Sequence, residues 1–208
     1  MGCGVIGDGV FWLTMEHTLF NYLRETLLPL EDAWPGAIGS ATHPQAGVLV
    51  GLTDEAEPRV VLGRRAAHLP LHPGEIAFPG GKREVEDASP WQTAAREAGE
   101  EVGLAPRISS ALGRLEPLLT RTGFEVYPCV AVIPADPHLR VDPGEFDSVF
   151  LSRLDIFADK MLYRLEVMSD GTRQRKVPHY QVGADNIWGV TDKSRLISRL
   201  LNPTPYLF

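Results

Sequence analysis

The chain has 208 residues, of which 44% are hydrophobic, and a formal net charge of −7 at pH 7. This length and hydrophobic content suffice for one sizeable core, and the negative charge excludes the overall basic field by which many proteins bind nucleic acid. The two cysteines, Cys3 and Cys129, cannot form a disulfide framework or, by themselves, a zinc site. Cys129 lies in an apolar run and is predicted to belong to the core.

The N-terminal residues 1–14 lack the basic segment of a signal peptide, and their apolar run is too short for one. No apolar run in the chain approaches the length needed to span a bilayer. We therefore predict a cytoplasmic protein that binds neither membranes nor nucleic acid. Met15 is an alternative start; residues 1–14 would then be a disordered N-terminal extension, and residues 15–208 a single domain.

Hydrophobic periodicity and turn residues predict the elements in chain order. An amphipathic helix is predicted at residues 17–28, and an irregular connection rich in Pro, Gly and Ala follows at residues 29–45. Strands are predicted at residues 46–52, 59–64, 112–119, 124–133, 148–153, 161–168 and 176–182. A final helix is predicted at residues 192–201, capped by Thr191. Mixed strands with few helices predict an α+β layered sandwich.

The most informative segment is residues 80–104, GGKREVEDASPWQTAAREAGEEVGL. Ser89 is a suitable N-cap for a helix, Pro90 fits the first helical position, and Gln92 completes a capping-box pattern. Gly103 is a suitable residue to end the helix. An apolar stripe that can pack on a sheet recurs every four residues, at Ala94, Ala98 and Val102.

Three carboxylates of this helix, Glu97, Glu100 and Glu101, are spaced so that they share one helix face. Like charges repel one another there unless a cation compensates them, and hard divalent metals prefer oxygen ligands. The pattern therefore predicts a Mg²⁺ or Mn²⁺ site for chemistry on a phosphate compound. Arg96 lies four residues before Glu100 and can orient a carboxylate or offset its charge. By itself, the spacing fits a solvated acidic face equally well.

The whole arrangement resembles the Nudix box of the Nudix hydrolases, G-x5-E-x7-R-E-U-x-E-E-x-G-U, where U is a bulky apolar residue. The separation of Gly81 from Arg96 is one residue longer than in the general box, and Asp87 falls in the place of the upstream Glu once that shift is allowed for. This longer box resembles the coenzyme A pyrophosphatase branch of the family. The residues that match are Arg96, Glu97, Glu100, Glu101, Gly103 and Leu104.

A second motif stands just before the box, at residues 62–81 (LGRRAAHLPLHPGEIAFPGG). It resembles L-x-x-R-x-x-x-L-R-x-H-x-G-E-x-A-F-P-G-G of the same branch. Pro70 departs from it, because the branch usually has Arg there and proline supplies neither a positive charge nor a backbone donor. Residues 142–146 and 186–191 also resemble later segments of that branch. The family resemblance implies an α/β/α sandwich with a mixed sheet.

The resemblance implies metal-dependent hydrolysis of the diphosphate bond of coenzyme A or acyl-coenzyme A. The products would be adenosine 3′,5′-bisphosphate and (acyl-)4′-phosphopantetheine. We expect Mg²⁺ or Mn²⁺ to be held by Glu97, Glu100, Glu101 and the Gly81 carbonyl. Catalysis is assigned to Glu97, Glu101, Arg96 and Glu145, with Glu97 or Glu145 as the general base. Because the chain is acidic, phosphate binding needs local cations, and we expect these to be Arg64, Arg65, His72 and Lys82.

Three functions stay open at this point. The first is a coenzyme A diphosphatase, and the second is a Nudix hydrolase of another nucleoside diphosphate compound, such as NADH, ADP-ribose or a nucleoside triphosphate. The third is a non-catalytic nucleotide-binding module. A P-loop at Gly80-Gly81-Lys82 is excluded because Arg83 stands where Ser or Thr must hold Mg²⁺. A monomer and a homodimer are both compatible with the sequence.

Overall fold

The computed structural model describes residues 19–38, 41–105, 110–120, 122–158, 161–169, 174–182 and 185–188. Within these residues, helix α1 is described over residues 19–26 and helix α2 is Pro90–Val102. A short 3-10 helix covers Leu154–Ala158. The strands are β1 Gln45–Thr53, β2 Arg59–Arg65, β3 Ile76–Ala77, β4 Gly80–Lys82, β5 Ser110–Arg114, β6 Leu118–Leu119, β7 Glu125–Ile133, β8 Phe146–Arg153, β9 Tyr163–Ser169, β10 Gln174–Val182 and β11 Asp185–Trp188.

Eight of the described strands form a mixed sheet in which β3, β2, β1, β7 and β5 follow one another. β1 and β7 run parallel, and the other pairs are antiparallel, including β4 with β1, β6 with β7 and β8 with β2. β1 is buried along most of its length, as expected of a central strand covered on both faces. β9, β10 and β11 form a separate antiparallel sheet. The predicted α+β class with a mixed sheet is confirmed.

The two faces of the mixed sheet pack into different hydrophobic clusters. Cys129 and Ala131 of β7 belong to a cluster with α2, whereas Val130 between them belongs to a cluster with Phe20 and Leu23 of α1. Successive side chains of a strand point to opposite faces, so the two helices lie on opposite sides of the sheet. This is the predicted α/β/α sandwich. Cys129 is buried, as expected.

Helix α2 begins and ends at the predicted residues. Ser89 accepts a hydrogen bond from the backbone N–H of Gln92 at 3.3 Å, and Pro90 opens the helix. The Gln92 side chain accepts from the N–H of Ala88 at 2.9 Å, one residue earlier than in a standard capping box. Gly103 ends the helix with φ 76°, a left-handed conformation that glycine adopts without a Cβ clash.

The helix packs directly on the central strand β1. A Cβ atom on Gly47 of β1 would lie only 2.6 Å from the Pro90 carbonyl oxygen, so the helix backbone occupies the space that a side chain would take. Ala94, Ala98 and Val102 are fully buried against the sheet. This close approach determines how far the acidic face of α2 stands from the strand β4, which pairs with β1.

Some predicted elements differ from the structure. The predicted strand at residues 112–119 is divided into β5 and β6, because Pro117 between them has no backbone N–H to donate to β7. β11 was not predicted as a strand. The predicted helix at residues 192–201, the extension 1–14 and Cys3 lie outside the described residues. In the described part, no helix combines the length and the apolar character that a membrane span requires.

Candidate active site

The strand β4 brings backbone groups against the acidic face of α2. The N–H of Gly80 donates to Oε2 of Glu101 at 2.8 Å, and Glu101 is only 5% exposed. β4 and α2 both contact β1, so the sheet brings the glycine pair and this carboxylate together. A charged group at such depth needs a compensating cation or hydrogen bonds.

Gly81 lies even closer to a second carboxylate. A Cβ atom at Gly81 would overlap the carboxylate of Glu97. A side chain at position 81 would therefore displace the Glu97 carboxylate from its place beside β4. The structure brings these two predicted metal ligands into direct proximity.

Substituting Gly81 by Ala is expected to push Glu97 out of position and to lower kcat about 10- to 100-fold, because displacements near 1 Å are costly in an active site. The change should be measured in kcat and in Mn²⁺ affinity. Gly51→Ala is the matched control, since a Cβ at Gly51 of β1 meets its nearest neighbours at an ordinary 3.5 Å. Unchanged kcat in Gly81→Ala would show that the position of Glu97 does not limit turnover.

The surroundings of Glu97 and Glu101 raise the pKa of both carboxyl groups when no cation is bound. The pKa of Glu101 is raised to about 8: burial is the largest cause and the negative charges of Glu97 and Glu145 add to it, while the Gly80 N–H and Arg65 act against it. Burial likewise raises the pKa of Glu97, although Arg96 opposes the shift. A cation bound among these carboxylates would reverse the direction of both shifts.

Arg96 connects the helix carboxylates to the preceding loop. Its guanidinium donates to Glu97 Oε1 at 3.0 Å and to Glu100 Oε2 at 3.0 Å. It also donates to both carboxylate oxygens of Asp87, at 3.1 and 3.0 Å, and to the carbonyl of Lys82 at 3.1 Å. The hydrogen bond to Asp87 raises the pKa of Arg96 above its ordinary value, and nearby Glu97 adds to the effect. Arg96 is placed to orient two of the carboxylates.

Asp87 contacts the site through Arg96, although the sequence analysis did not assign it there. It is buried and also accepts hydrogen bonds from Thr93 Oγ1 at 2.8 Å and from the Glu84 N–H at 2.9 Å. Its signal in the sequence was its place in the box, where the upstream Glu normally stands. Asp87 binds Nε and Nη2 of Arg96, and the same Nη2 donates to Glu97, so Asp87 holds the guanidinium at the atom that reaches Glu97.

The three helix carboxylates are not equivalent. The Glu97 side chain is 15% exposed, whereas that of Glu100 is 59% exposed and paired with Arg96. Glu101 is the most deeply buried of the three. Solvent exposure therefore increases across the shared helix face, from Glu101, which is buried against β4, to Glu100 at the solvent boundary.

Glu145 reaches the same region from a different part of the chain. The N–H of Asp142 donates to the carbonyl of Glu101 at 2.9 Å, which anchors the loop before β8 to the end of α2. The Glu145 carbonyl accepts from the Ala66 N–H at 2.9 Å, and its side chain lies 3.8 Å from Arg65 Nη2. The pKa of Glu101 responds to both charges, so the predicted base Glu145 and the predicted phosphate ligand Arg65 lie near the carboxylate cluster.

The other predicted phosphate ligands have different surroundings. His72 is exposed, its Nδ1 lies 2.9 Å from Glu75 Oε1, and its φ of 57° is unusual for a residue with a side chain. The Lys82 ammonium lies 5.4 Å from the centroid of the Phe124 ring, an aromatic neighbour that the sequence analysis missed. Arg64 lies on β2, opposite the first residue of β3.

The chemistry of these donors fits a hard divalent cation, because Glu97, Glu101 and the Gly81 backbone offer oxygen atoms at one place. Among the described residues, however, no group of three or more His, Cys, Asp or Glu side chains forms a ready-made metal cage. Arg96 accounts for part of this difference, since it holds Glu97 and Glu100 in hydrogen bonds. These carboxylates would have to turn toward a cation to bind it.

Residues 42–166 match the family model of the NUDIX domain. The match covers more than half of the chain. The chain belongs to the Nudix family. It is also 36% identical over 155 residues to an uncharacterized Nudix hydrolase NudL of Yersinia pestis (strain Pestoides F), with 73% of this chain and 76% of that protein covered.

A second relative is the uncharacterized Nudix hydrolase NudL of Enterobacter sp. (strain 638). It is 42% identical over 106 residues, which cover 51% of this chain and 55% of that protein, so the match spans about half the length of that relative. The fold is similar to the crystal structure of a Nudix hydrolase from M. smegmatis, RenU, with a TM-score of 0.53 and 17% identity over 80% of this chain and 90% of that one. Nudix hydrolases generally need divalent metal ions and bind small nucleotide-derived substrates.

Proposed function

We propose that this Nudix hydrolase cleaves the diphosphate bond of coenzyme A or an acyl-coenzyme A in the presence of Mg²⁺ or Mn²⁺. The products are adenosine 3′,5′-bisphosphate and (acyl-)4′-phosphopantetheine. The proposal rests on one observation: the motif at residues 62–81, which resembles that of the coenzyme A branch, ends in direct contact with the carboxylate cluster. That motif ends in Gly80 and Gly81, which touch Glu101 and Glu97.

The upstream motif is folded back on itself beside β2, which supports a binding role for it. The Arg65 N–H donates to the carbonyl of Glu75, and the Gly74 N–H donates to the carbonyl of Arg65, both at 2.9 Å. His72 lies within this turn, and the motif continues through β3 to β4. A substrate bound along the motif would reach the carboxylates with its diphosphate group.

The proposed metal ligands are Glu97, Glu100, Glu101 and the Gly81 carbonyl. When bound, the divalent cation neutralises charge on the diphosphate and lowers the pKa of the attacking water. Arg96 holds Glu97 and Glu100 next to the proposed site through its hydrogen bonds, and the two carboxylates would turn from there toward the cation. The substrate's phosphates are assigned to Arg64, Arg65, His72 and Lys82.

The proton of the attacking water is accepted by Glu97 or by Glu145. Glu97 is partly buried and already accepts a hydrogen bond from Arg96, which holds its carboxylate in one orientation. Glu145 is more exposed, with 43% of its side chain accessible, and lies 3.8 Å from Arg65, so a proton that it accepted could pass directly to solvent. Glu145→Gln distinguishes them, because Glu145 is not among the proposed metal ligands: if Glu145 is the base, this variant loses the acidic limb of the pH profile of kcat while Mn²⁺ affinity is unchanged, and a retained limb favours Glu97.

A second candidate function is hydrolysis of another nucleoside diphosphate compound, such as NADH or ADP-ribose. Pro70 favours it, because this exposed residue replaces an arginine that the coenzyme A branch usually has. Phe124 beside Lys82 is compatible with either function, since a ring next to a cation can stack on any base. A non-catalytic binding module is less compatible with carboxylates buried at such cost.

Product analysis by mass spectrometry tests the proposal. Purified protein is incubated with coenzyme A, NADH, ADP-ribose and dATP in separate reactions, each with Mg²⁺ or Mn²⁺, beside the Glu101→Gln variant. We expect 4′-phosphopantetheine to be released from coenzyme A by the wild type and not by the variant. Hydrolysis of another compound with coenzyme A untouched would contradict the proposed substrate, and binding without turnover would favour the non-catalytic module.

A further inference from the structure

The connection between α1 and β1 crosses the loop that leads into the catalytic helix. Trp34 lies in this connection and is 6% exposed. Its backbone N–H donates to the carbonyl of Ala88 at 3.1 Å. The Arg83 guanidinium lies over the indole ring, 5.0 Å from its centroid. Tyr127 of β7 contacts the same indole edge-to-face, with ring centroids 5.1 Å apart at 83°. Trp34 is thus enclosed by the loop on one side and the sheet on the other.

Arg83 adds further contacts between the loop, the connection and β1. Its Nη1 donates to the carbonyl of Gly36 at 2.9 Å and to Gln45 Oε1 at 2.8 Å, and its N–H donates to the carbonyl of Gln45 at 3.0 Å. Gln45 Nε2 in turn donates to the carbonyl of Pro35 at 3.3 Å. The loop is therefore held at its beginning by Arg83 and at its end by Ala88, and Trp34 contacts both ends.

Between these two ends the loop carries Asp87. The N–H of Asp87 donates to the carbonyl of Glu84 at 3.2 Å, and Glu84 returns a hydrogen bond from its own N–H to the Asp87 carboxylate. The same carboxylate binds Arg96, which binds Glu97. A continuous series of contacts therefore leads from Trp34 through the loop to the carboxylate cluster.

Trp34 is not part of the general core. It belongs to neither of the two hydrophobic clusters of the described residues, and its partners are the loop and Tyr127. Its Nε1 is buried without a hydrogen-bond partner among the described residues. The useful properties of the side chain are therefore its flat ring, its volume and its attraction for the Arg83 guanidinium.

We propose that Trp34 is a positioning residue for the metal site: it holds both ends of the loop at residues 83–88, and so determines where Arg96 presents Glu97. The catalytic consequence rests on the proposed metal-dependent hydrolysis. The order of the loop does not, because it is a property of the protein without metal or substrate. Residues that hold metal ligands in place typically contribute on the order of 10- to 100-fold to metal affinity or activity. For Trp34 we expect an effect of about tenfold, at the lower end of this range.

The test compares Trp34→Ala and Trp34→Phe with the wild type. Hydrogen exchange of the backbone amides at residues 82–89 is measured in metal-free protein, and Mn²⁺ affinity is measured from the EPR signal of free Mn²⁺. Trp34→Ala removes the ring beside Arg83 and keeps the backbone bond to Ala88, so we expect faster exchange at Arg83 and Mn²⁺ binding weakened about tenfold. Trp34→Phe keeps an aromatic ring beside Arg83, and it loses no hydrogen bond because the indole Nε1 has no partner among the described residues. Its exchange rates and Mn²⁺ affinity should therefore stay within about twofold of those of the wild type.

Phe157→Ala is the matched control. Phe157 is equally buried and makes the same edge-to-face contact, with Tyr180 at 5.2 Å, within the cluster that contains α1. This variant should lose stability without changing loop exchange or Mn²⁺ affinity. If Trp34→Ala does not fold, Arg83→Met replaces it, because this variant removes the guanidinium with its bonds to Gly36 and to the Gln45 side chain. It is expected to speed exchange in the loop and to weaken Mn²⁺ binding in the same way.

The outcomes separate the two proposals. Exchange rates in Trp34→Ala equal to those of the wild type would overturn the positioning role, as would faster exchange with unaltered Mn²⁺ affinity. Equal effects of Phe157→Ala would also overturn it, because they would reflect general destabilisation. Failure of the wild-type protein to bind Mn²⁺ at all would contradict the metal-dependent function, while the exchange data would still decide whether Trp34 orders the loop.

Discussion

Glu101→Gln is expected to lower kcat for the diphosphate substrate by about 10³-fold or more. Glu101 is the most buried of the three helix carboxylates, and it faces Gly80, Glu97 and Glu145. The amide oxygen of Gln can still accept the hydrogen bond from the Gly80 N–H, so the helix and β4 should keep their positions. What the variant loses is the negative charge available to a cation.

The measurement is steady-state kinetics together with the free-Mn²⁺ EPR titration and thermal unfolding of the metal-free protein. Glu86→Gln is the control, because it removes an exposed carboxylate of the same loop. Glu100→Gln should cost less than Glu101→Gln, since Glu100 stands at the solvent boundary. A Glu101→Gln enzyme with wild-type turnover would refute the assignment of the site.

Asp87→Ala is expected to reduce the free energy of unfolding by about 2–4 kcal/mol, because it leaves Arg96, Thr93 and the Glu84 N–H without their buried acceptor. For a chain of this size, that loss corresponds to a fall in Tm of about 5–10 °C. Activity should fall as well, since Asp87 would no longer hold the Nη2 atom of Arg96 that donates to Glu97. Thermal unfolding and kcat report the two effects separately.

The stability effect should depend on pH in a defined direction. Burial raises the pKa of Asp87, but hydrogen bonds from Arg96, the Glu84 N–H and Thr93 outweigh it and lower the pKa overall. A carboxyl whose folded pKa lies below its unfolded pKa contributes stability that is complete above the unfolded pKa and is lost as the pH falls through the folded pKa. The difference between wild type and Asp87→Ala should thus be constant near neutral pH and shrink below about pH 4.

Asp155→Ala provides the comparison. Asp155 is also paired with an arginine, Arg153, but both side chains are exposed by half or more. A surface pair of this kind contributes about 1 kcal/mol or less. If Asp155→Ala lowered Tm as much as Asp87→Ala, the buried network around Arg96 would not be the origin of the larger effect.

The helix α2 shows how much local sequence can predict. Its N-cap Ser89, its first residue Pro90, its glycine end and its apolar stripe were all identified from residue type and spacing, because capping and amphipathic packing depend on neighbours within a few positions. The same locality made the pairing of Arg96 with Glu100 predictable, since side chains four residues apart on a helix adjoin.

The roles of Asp87, Trp34 and Phe124 could not be predicted in the same way. Asp87 lies nine residues from Arg96 in sequence, and Trp34 is farther still from its partners Arg83 and Tyr127. Such contacts depend on how the chain returns past the sheet, which no periodicity encodes. The different burial of Glu97, Glu100 and Glu101 likewise depends on β4, a strand from outside the helix.

By itself, then, the sequence determined the α+β class, the capped helix with its three carboxylates and the resemblance to the Nudix hydrolases. These follow from short-range patterns, in which each residue type has a local physical preference. Only the tertiary structure decided that Gly81 lies against the Glu97 carboxylate, that Glu145 approaches Glu101, and that Asp87 holds Arg96. The reason is that these relations join segments brought together by the pairing of β4 with β1 and by the packing of α2 on the same strand.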